Sequence, residues 1–352
     1  MFNPNYKITQ EILECLTKIE SIRTVFDSAN ISPVLMVSLR NSAKIAATHY
    51  STKIEGNRLT RKEVENAVLK QKSPENLQRD SAEVNAYYKA MNYIENCLDS
   101  HELFSEKLIQ RTHDLVEGVK SSYRDGQNAI YDNASGYIVY MPPEAKDVPI
   151  LMRELVDWVN SDMQTPRIIM AALVHYQFVT IHPYYDGNGR TARLLTSFLM
   201  RKFGYGLNGI YSLEEYYAND LCAYYEALAT HEHHNYHEGR EHADLTKWID
   251  YFVRGVADVF GKIQIRATIH NGATDYSAEL RKLDVTQRKI LELFTEFEEV
   301  TSMQIAQHLG MSQQSARLLA NRWIKAEFLN IANKSKKCRK YRLSEQYANL
   351  VD

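Results

Sequence analysis

One run of twelve residues in this 352-residue chain combines the side chains that the handling of a nucleotide triphosphate requires. The run reads His182-Pro183-Tyr184-Tyr185-Asp186-Gly187-Asn188-Gly189-Arg190-Thr191-Ala192-Arg193. Gly187 and Gly189 carry no Cβ, so the backbone around them turns tightly and approaches a ligand closely. The apolar residues that follow have helical spacing, which predicts a helix starting near Asn188. The free N–H groups and positive dipole end of such a helix form an anion site.

The charged side chains of the run match the parts of a metal-bound polyphosphate. Arg190 and Arg193 are three positions apart, so both guanidinium groups lie on one helical face and reach the same ligand. Asp186 offers a hard oxygen for Mg²⁺, which prefers few carboxylates together with phosphate oxygens. His182 lies just outside the loop and can take up a proton near neutral pH. The alternative, a glycine-rich turn with surface arginines, leaves this combination unexplained.

The run resembles, almost position by position, the motif of Fic-domain proteins, H-P-F-x-[D/E]-G-N-G-R-x-x-R. Tyr184 is the one departure, and it replaces the usual phenylalanine by another aromatic residue. The resemblance implies a nucleotidyltransferase that passes AMP from ATP to a protein hydroxyl, with His182 as the base and Mg²⁺ on Asp186. The ATP-binding residues that it implies in the motif are Gly187, Asn188, Gly189, Arg190 and Arg193.

A second pattern lies upstream, in Ser51-Thr52-Lys53-Ile54-Glu55-Gly56-Asn57. Ser51, Glu55 and Gly56 match the inhibitory-helix pattern of Fic proteins, [S/T]-x-x-x-E-[G/N]. The resemblance implies that Glu55 pairs with Arg193 and occupies the space that the γ-phosphate of ATP needs. It also places the chain in the class with an N-terminal inhibitor. The alternative is an ordinary helix that ends at Gly56 and exposes a glutamate.

A β-hairpin is predicted after Tyr123-Arg124, and it resembles the Fic flap, which can hold a target segment by strand addition. The residues that align with its nucleotide-facing part are Asn128, Ala129, Ile130 and Tyr131. Tyr224 and Tyr225 stand where many Fic proteins carry a tyrosine pair near the adenine. An ordinary surface hairpin and a pair of core aromatic residues are the alternatives.

Scarce glycine and proline (14 and 8 residues) and abundant helix formers predict a mainly α fold. We expect a Fic-type helical core with a β-hairpin flap and a small C-terminal winged helix-turn-helix domain. The expected segments are an N-terminal helical region over 1–100 with the inhibitory helix around 42–56, the catalytic core over 101–269, a linker over 270–283 and the winged helix over 284–352. Within them, periodicity predicts helices that include 33–49, 189–203 and 213–230.

The composition excludes several function classes. A net charge of -2 and a pI near 6.6 give no overall attraction to nucleic acid or to a membrane surface. The four cysteines, Cys15, Cys97, Cys222 and Cys338, form neither a disulfide framework nor a zinc pattern. Neither a signal segment nor a membrane span is indicated, so the expected location is the cytoplasm.

Two clusters near the end of the chain allow two interpretations each. The first comprises His231, His233, His234, His237 and His242. Their irregular spacing in a polar stretch favours a solvated loop over a zinc site. The second is a basic run within the winged helix, made of Lys334, Lys336, Lys337, Arg339, Lys340 and Arg342. A solvated tip and a contact with DNA phosphates are both compatible with it.

The sequence therefore predicts a protein adenylyltransferase that modifies Ser, Thr or Tyr hydroxyls of a target protein, including its own, under inhibition by Glu55. One alternative is a Fic enzyme that removes AMP, with Glu55 activating water, or transfers another phosphate-containing group. A second is a DNA-binding regulator whose Fic domain acts as a sensor. The interpretation leaves open a homodimer, as well as DNA as a partner through the winged helix.

Overall fold

A computed structural model gives the fold, and it describes residues 2–28, 33–131, 136–270, 280, 282–295, 297–333, 339–348 and 350–351. The chain forms two compact units. The first comprises residues 1–27 and 42–263, and the second comprises residues 28–41 and 264–352. The N-terminal helical region is therefore divided between both units. Most of the expected linker lies outside the described residues.

The described part of the chain is mainly helical, as expected. The helices are α1 (Gln10–Ser28), α2 (Pro33–Ile54), α3 (Arg61–Lys70), α4 (Gln78–Asp99), α5 (Glu106–Glu117), α6 (Val148–Ser161), α7 (Arg167–Ile181), α8 (Asn188–Lys202), α9 (Leu213–Asn219), α10 (Leu221–Leu228), α11 (Thr246–His270), α12 (Val285–Phe294), α13 (Ser302–His308), α14 (Gln313–Lys325) and α15 (Glu345–Ala348). The strands are β1 (Ile130–Tyr131), β2 (Ile138–Tyr140), β3 (Val300–Thr301), β4 (Leu329–Asn333) and β5 (Lys340–Leu343).

Short side-chain caps explain several helix ends. Thr60 accepts a hydrogen bond from the Glu63 N–H while Glu63 binds back to the Thr60 N–H, a capping box that starts α3. Ser105 caps α5 by accepting the Leu108 N–H with its side chain, and Gly118 closes that helix in the left-handed conformation. These caps satisfy N–H groups that the first turn of a helix leaves without partners.

Helix α7 forms the centre of the first unit. Almost all of its residues are buried, because α6 and α8 pack against it. Its sequence, RIIMAALVHYQFVTI, is apolar on every face, as expected for an enclosed helix. The neighbouring helix α8 also packs against α4 and α5. The loop between α7 and α8 carries the twelve-residue run, so the most buried pair of helices positions it.

Two helix boundaries differ from the prediction. Helix α2 is continuous from Pro33 to Ile54, so the helix predicted over 33–49 and the inhibitory helix around 42–56 are one element. The helix predicted over 213–230 is interrupted at Asp220, whose backbone is extended (φ -139, ψ 80). The Asp220 carboxylate accepts the Ala223 N–H and caps a new helix, α10. A side-chain cap thus ends one helical pattern and starts another.

The predicted hairpin is present as the antiparallel pair β1–β2, in which Ile130 lies opposite Tyr140. Beyond it, the backbone of Met141 binds His234 and Tyr236, so the histidine-rich segment runs beside the base of the hairpin. His231, His233, His234, His237 and His242 lie in this irregular segment between α10 and α11.

The second unit contains the predicted order of three helices followed by two strands. The short strand β3 adds to these, and the antiparallel sheet has the order β3-β5-β4. The apolar core of the unit includes Ile290, Ile305, Trp323 and Tyr341. The basic residues Lys334, Lys336 and Lys337 lie outside the described residues. Along the described chain, we find no helix with the length and apolar character needed to cross a bilayer.

Candidate functional site

The loop before α8 is held by its own polar side chains. Gly187 has a φ of +72°, a left-handed conformation that glycine adopts without strain, and it precedes the first residue of α8. Asn188 is buried, and its amide both accepts the Tyr184 N–H (3.0 Å) and donates to the Tyr184 carbonyl (2.8 Å). The side chain of Asn188 therefore shapes the loop, and its backbone N–H belongs to the free helix start.

His182 ends helix α7 in the left-handed conformation (φ 50, ψ 60), and its N–H binds the Phe178 carbonyl. The ring Nδ1 lies 3.3 Å from the Val179 carbonyl oxygen. A carbonyl only accepts, so Nδ1 carries the hydrogen and Nε2 keeps its lone pair. His182 is thus held in the tautomer that a general base needs.

Burial lowers the pKa of His182 from 6.5 to about 4, and the positive charge of Arg124 adds to the effect. Arg124 is itself buried and donates from Nε to the His182 carbonyl (2.9 Å). It also donates to the carbonyls of Gly126 and Pro143, so one guanidinium joins the loop that begins at His182 to the base of the hairpin. His182 is therefore neutral at pH 7 and free to accept a proton.

A second histidine, His113 of α5, contacts the loop between α7 and α8 and holds it in place. Its Nε2 donates to the Asp186 carbonyl (2.9 Å), which leaves Nδ1 to accept from the Ser121 hydroxyl (2.6 Å). Its ring stacks on Tyr184 with the centroids 3.6 Å apart and an interplanar angle of 9°. The Tyr184 hydroxyl is buried and has no hydrogen-bond partner among the described residues.

Arg193 is the most enclosed charge of the site, with a side chain only 1% exposed. Its Nη2 lies 2.7 Å from Glu55 Oε1, while Ser51 accepts from Nε through its hydroxyl (2.7 Å) and from Nη2 through its carbonyl (2.9 Å). Burial opposes the charge, but Glu55 outweighs it, so the pKa of Arg193 is raised. The structure thus brings Ser51 and Glu55 together with the motif.

Arg190 is also surrounded by carboxylates. Its Nη1 lies 2.7 Å from Glu83 Oε1, and its Nη2 lies 3.1 Å from Glu117 Oε1 and 3.4 Å from Asp186 Oδ1. Burial raises the pKa of Glu117, an effect that Arg190 opposes and the nearby carboxylate of Asp186 reinforces. Asp186 is different in its surroundings, because its side chain is 76% exposed. It is the carboxylate of this group that is open to a ligand.

Carboxylates cover the two glycines of the loop. A Cβ placed on Gly189 would lie 2.5 Å from Glu55 Oε1, and a Cβ on Gly187 would clash with Glu117 Oε1. Backbone N–H groups at the start of a helix attract anions, and here carboxylate side chains lie over the start of α8. An anionic ligand at this position would have to displace Glu55.

The tyrosine pair separates into one buried and one exposed residue. Tyr224 is 2% exposed, and its hydroxyl binds His175 Nε2 (2.9 Å) within the core behind Arg193. Tyr225 is 50% exposed. Of the hairpin residues, Asn128 and Ala129 precede β1, which Ile130 and Tyr131 form. Tyr224 does not lie on an open surface. Of the two tyrosines, only Tyr225 is accessible to the adenine of a nucleotide.

Sequence reasoning missed four residues of the site: Glu83, Glu117, His113 and Arg124. None belongs to the motif, and each reaches it from another element over 58 to 107 positions of sequence. Only Arg124 carried a local signal, since it precedes the predicted hairpin. Polar residues within otherwise apolar helical patterns, such as His113, are the general signal for such support.

Comparisons with known proteins agree with this geometry. Residues 103–200 match the family model described as the Fic/DOC family. The protein adenylyltransferase Fic of Drosophila willistoni is 28% identical over 196 residues, which is 54% of this chain and 38% of that protein. The protein of the same name from Drosophila mojavensis is 32% identical over 163 residues, 45% of this chain and 32% of that protein. The chain thus spans about a third of the length of these relatives.

Two solved structures share the fold. A Fic family protein from Desulfovibrio desulfuricans superposes with a TM-score of 0.64 at 24% identity, over 98% of this chain and 99% of that chain. Fic-1 from C. elegans superposes with a TM-score of 0.58 at 23% identity, over 73% of this chain and 72% of that chain. The Fic fold therefore accounts for the helical core around α7 and α8.

The unpaired Tyr184 hydroxyl leads to a prediction about stability. A buried hydroxyl without a partner has lost its water without compensation, which costs on the order of 1–3 kcal/mol. We therefore expect Tyr184→Phe to raise the free energy of unfolding by about 1 kcal/mol while the ring still stacks on His113. Urea unfolding of both proteins measures the change, and a clear loss of stability would show that the hydroxyl has a partner.

The surroundings of His182 lead to a second prediction. NMR titration of the nucleotide-free protein should give a pKa near 4 for His182, because burial and Arg124 disfavour its charged form. His182→Asn identifies the resonance, since asparagine tolerates the left-handed backbone at this position. A titration midpoint near pH 6.5 would show that the surroundings do not lower the pKa of His182.

Proposed function

We propose that this chain, in which residues 103–200 form a Fic/DOC domain, transfers AMP from ATP to Ser, Thr or Tyr hydroxyls of a target protein, itself included. Relatives named protein adenylyltransferase Fic support this reaction at 28% and 32% identity. The observation that carries the proposal is the Glu55–Arg193 pair. It places a carboxylate over Gly189, at a helix start built for an anion.

The reaction follows from the loop geometry. ATP binds with its phosphates at the start of α8, held by Arg193 and by the N–H groups of Asn188 and Gly189. The Gly187 N–H, which binds Asp186 Oδ1 at 2.6 Å, joins them once it leaves that carboxylate. The target hydroxyl gives its proton to His182 Nε2 while its oxygen bonds to the α-phosphorus. The bond from that phosphorus to the bridging oxygen breaks, and pyrophosphate leaves. Positioning and electrostatic stabilisation provide most of the acceleration in such transfers.

The donor set around Asp186 fits Mg²⁺. The Asp186 carboxylate is exposed beside the start of α8, where the phosphates would bind, whereas Arg190 binds Glu83 and Glu117. Mg²⁺ accepts a single protein carboxylate when phosphate and water oxygens complete its octahedron. When bound, the metal would neutralise charge on the phosphates. In this arrangement Arg190 acts on the site by orienting Asp186.

The hairpin suits the presentation of a target. Its exposed apolar residues include Tyr131, Tyr137 and Ile138, which are 57%, 77% and 45% exposed. Strand addition holds an extended segment through backbone bonds and needs little side-chain specificity. Arg124 links the hairpin to one side of the loop. A target hydroxyl held by the hairpin would approach the loop from that side.

Glu55 keeps this enzyme inactive in the proposal. While Glu55 occupies Arg193, ATP lacks its γ-phosphate partner and the α-phosphate is not aligned for attack. We expect Glu55→Gly and Glu55→Gln to raise AMP transfer about 30- to 1000-fold, which corresponds to about 2–4 kcal/mol of population shift. The glutamine variant keeps the size of the side chain and isolates its charge. Mass spectrometry of protein incubated with ATP and Mg²⁺ measures the transfer.

Three variants make this experiment decisive. Lys53→Ala, which removes an exposed side chain from the last turn of α2, should behave as wild type. In the Glu55→Gly background, His182→Asn should lower transfer by on the order of 10² or more, as for a lost general base. In that background, Asp186→Asn should lose the Mg²⁺-dependent transfer while it still folds normally. Equal labelling by wild type and Glu55→Gly at saturating ATP would refute inhibition by Glu55.

A second candidate function concerns the second unit, which we propose is a winged helix-turn-helix that binds DNA. Helix α14 follows α13 after a short turn and contains no carboxylate. Its exposed side chains are polar, cationic or apolar, as in helices that enter the major groove: Gln314, Arg317, Leu318, Asn321, Arg322 and Lys325.

Fluorescence anisotropy with a labelled DNA duplex tests this function. We expect binding that weakens linearly in log[salt], because each phosphate contact releases counterions. The triple variant Arg317→Ala/Arg322→Ala/Lys325→Ala should weaken binding by at least tenfold at low salt and flatten the salt slope. The matched control also removes three exposed cations, all from α11, in the triple variant Lys247→Ala/Arg254→Ala/Lys262→Ala. Equal loss in both variants would indicate attraction by net charge alone.

A further inference from the structure

The turn after Glu55 is attached to the motif a second time. Asn57 is 7% exposed, and its Nδ2 donates to Glu83 Oε2 at 2.7 Å and to the Asp80 carbonyl at 3.0 Å. The other oxygen of Glu83, Oε1, binds Arg190 Nη1 at 2.7 Å. One carboxylate of α4 therefore joins the residue just after the Glu55-Gly56 turn to an arginine of α8.

Both contacts are of the strong kind. An ion on one side of a hydrogen bond shortens it and about doubles its strength relative to a neutral pair. The Arg190 side chain is 9% exposed and that of Glu83 is 22% exposed, so water screens their contact only in part. Asn57 also accepts the Leu59 N–H (3.1 Å), and its own N–H binds the Thr52 carbonyl (3.1 Å). The turn is thus fixed on both sides of Gly56.

We propose that Asn57 and Glu83 form a second latch on the inhibitory segment, in which Glu83 acts as a positioning residue for Glu55. The inference rests on the proposed inhibition by Glu55. Arg193 holds Glu55 directly, and Arg190 holds the following turn through Glu83. Both arginines of the motif then keep the segment in its blocking position.

The latch works through the geometry of the turn. Glu55 lies two residues before Asn57, so an anchored Asn57 limits how far the Glu55 carboxylate moves when it leaves Arg193. A tethered group rebinds at a high effective concentration, which favours the closed pair. Without the anchor, the end of α2 unwinds more easily and Glu55 returns less often. The open state then becomes more populated although Glu55 and Arg193 are unchanged.

Two variants break the latch by different chemistry. Asn57→Asp keeps the oxygen that accepts the Leu59 N–H but removes the Nδ2 donor and opposes Glu83 with a like charge. Glu83→Gln keeps the shape of the side chain but leaves one oxygen to serve two donors, Arg190 and Asn57. Should the aspartate variant fail to fold, the glutamine variant tests the proposal by itself.

Two controls are matched to these variants. Glu117→Gln removes another carboxylate from Arg190, at a similar exposure of 20%, but among the described residues Glu117 makes no hydrogen bond to the turn. Lys53→Ala alters an exposed side chain in the last turn of α2, while the Lys53 carbonyl that accepts the Gly56 N–H stays in place. Neither control should loosen the Glu55 turn.

The first measurement is hydrogen exchange of the full chain without nucleotide, followed by mass spectrometry. The N–H groups of Glu55, Gly56 and Asn57 bind the carbonyls of Thr52, Lys53 and Thr52, so their exchange reports on local opening. We expect both latch variants to speed exchange in this segment by about tenfold, with both controls at the wild-type rate. Unchanged exchange in both latch variants would overturn the proposal, whatever the activity of the protein.

The second measurement is AMP transfer in single and double variants. Asn57→Asp and Glu83→Gln should each raise transfer by about 3- to 10-fold, less than Glu55→Gly does. Added to Glu55→Gly, Asn57→Asp should raise transfer no further, because the latch acts through Glu55. A further increase in the double variant would show an independent effect and reject the latch. An inactive Glu55→Gly protein would refute the proposed function, and hydrogen exchange would still decide on the latch.

Discussion

The need to neutralise one buried cation, Arg193, organises the site. A guanidinium taken out of water is tolerated only with hydrogen-bond acceptors and a counter-charge around it. Ser51 supplies two of the acceptors and Glu55 supplies the charge; Ser51 lies in the last turn of α2, and Glu55 directly follows that helix. The C-terminal end of α2 therefore lies against α8 for an electrostatic reason as well as a packing one.

The second requirement is a rigid loop between two helices. His182 follows the last residue of α7, Gly187 precedes α8, and only the six residues 182–187 separate the two helices. Asn188 closes the loop on itself through Tyr184, and His113 and Arg124 hold its carbonyls from outside. All of these contacts are hydrogen bonds with fixed directions. The free N–H groups at the start of α8 therefore keep their orientation when no ligand is bound.

Much of this arrangement was predictable from local sequence. The capping box at Thr60, the cap at Ser105 and the spacing of the motif all act within a few residues, and the structure contains the elements they predict. The match of residues 103–200 to the Fic/DOC family model and the mainly helical fold both agree with the prediction. The Ser51–Glu55 pattern predicted a partner for Arg193, because the resemblance supplied a contact that spacing alone does not contain.

The other features of the site depend on tertiary contacts, which produce no recognisable pattern in the sequence. Glu83 and Glu117 look like ordinary polar-face residues of α4 and α5, and only the packing of those helices on α8 brings them to Arg190. Tyr224 faces the core because its hydroxyl finds His175 there, a pairing that no local rule predicts. Asp220 interrupts a helical pattern because its side chain competes for backbone N–H groups.

The enclosure of α7 has a consequence for the production of fragments. Trp248 of α11 covers this helix, and its indole N–H binds the Ala172 carbonyl at 2.7 Å. A fragment cut to the family match, residues 103–200, lacks Trp248 and would expose an apolar rod to water. Such surfaces aggregate during synthesis, before later segments of a chain can cover them. A soluble piece of this unit must therefore extend through α11, well past the residues that define the family.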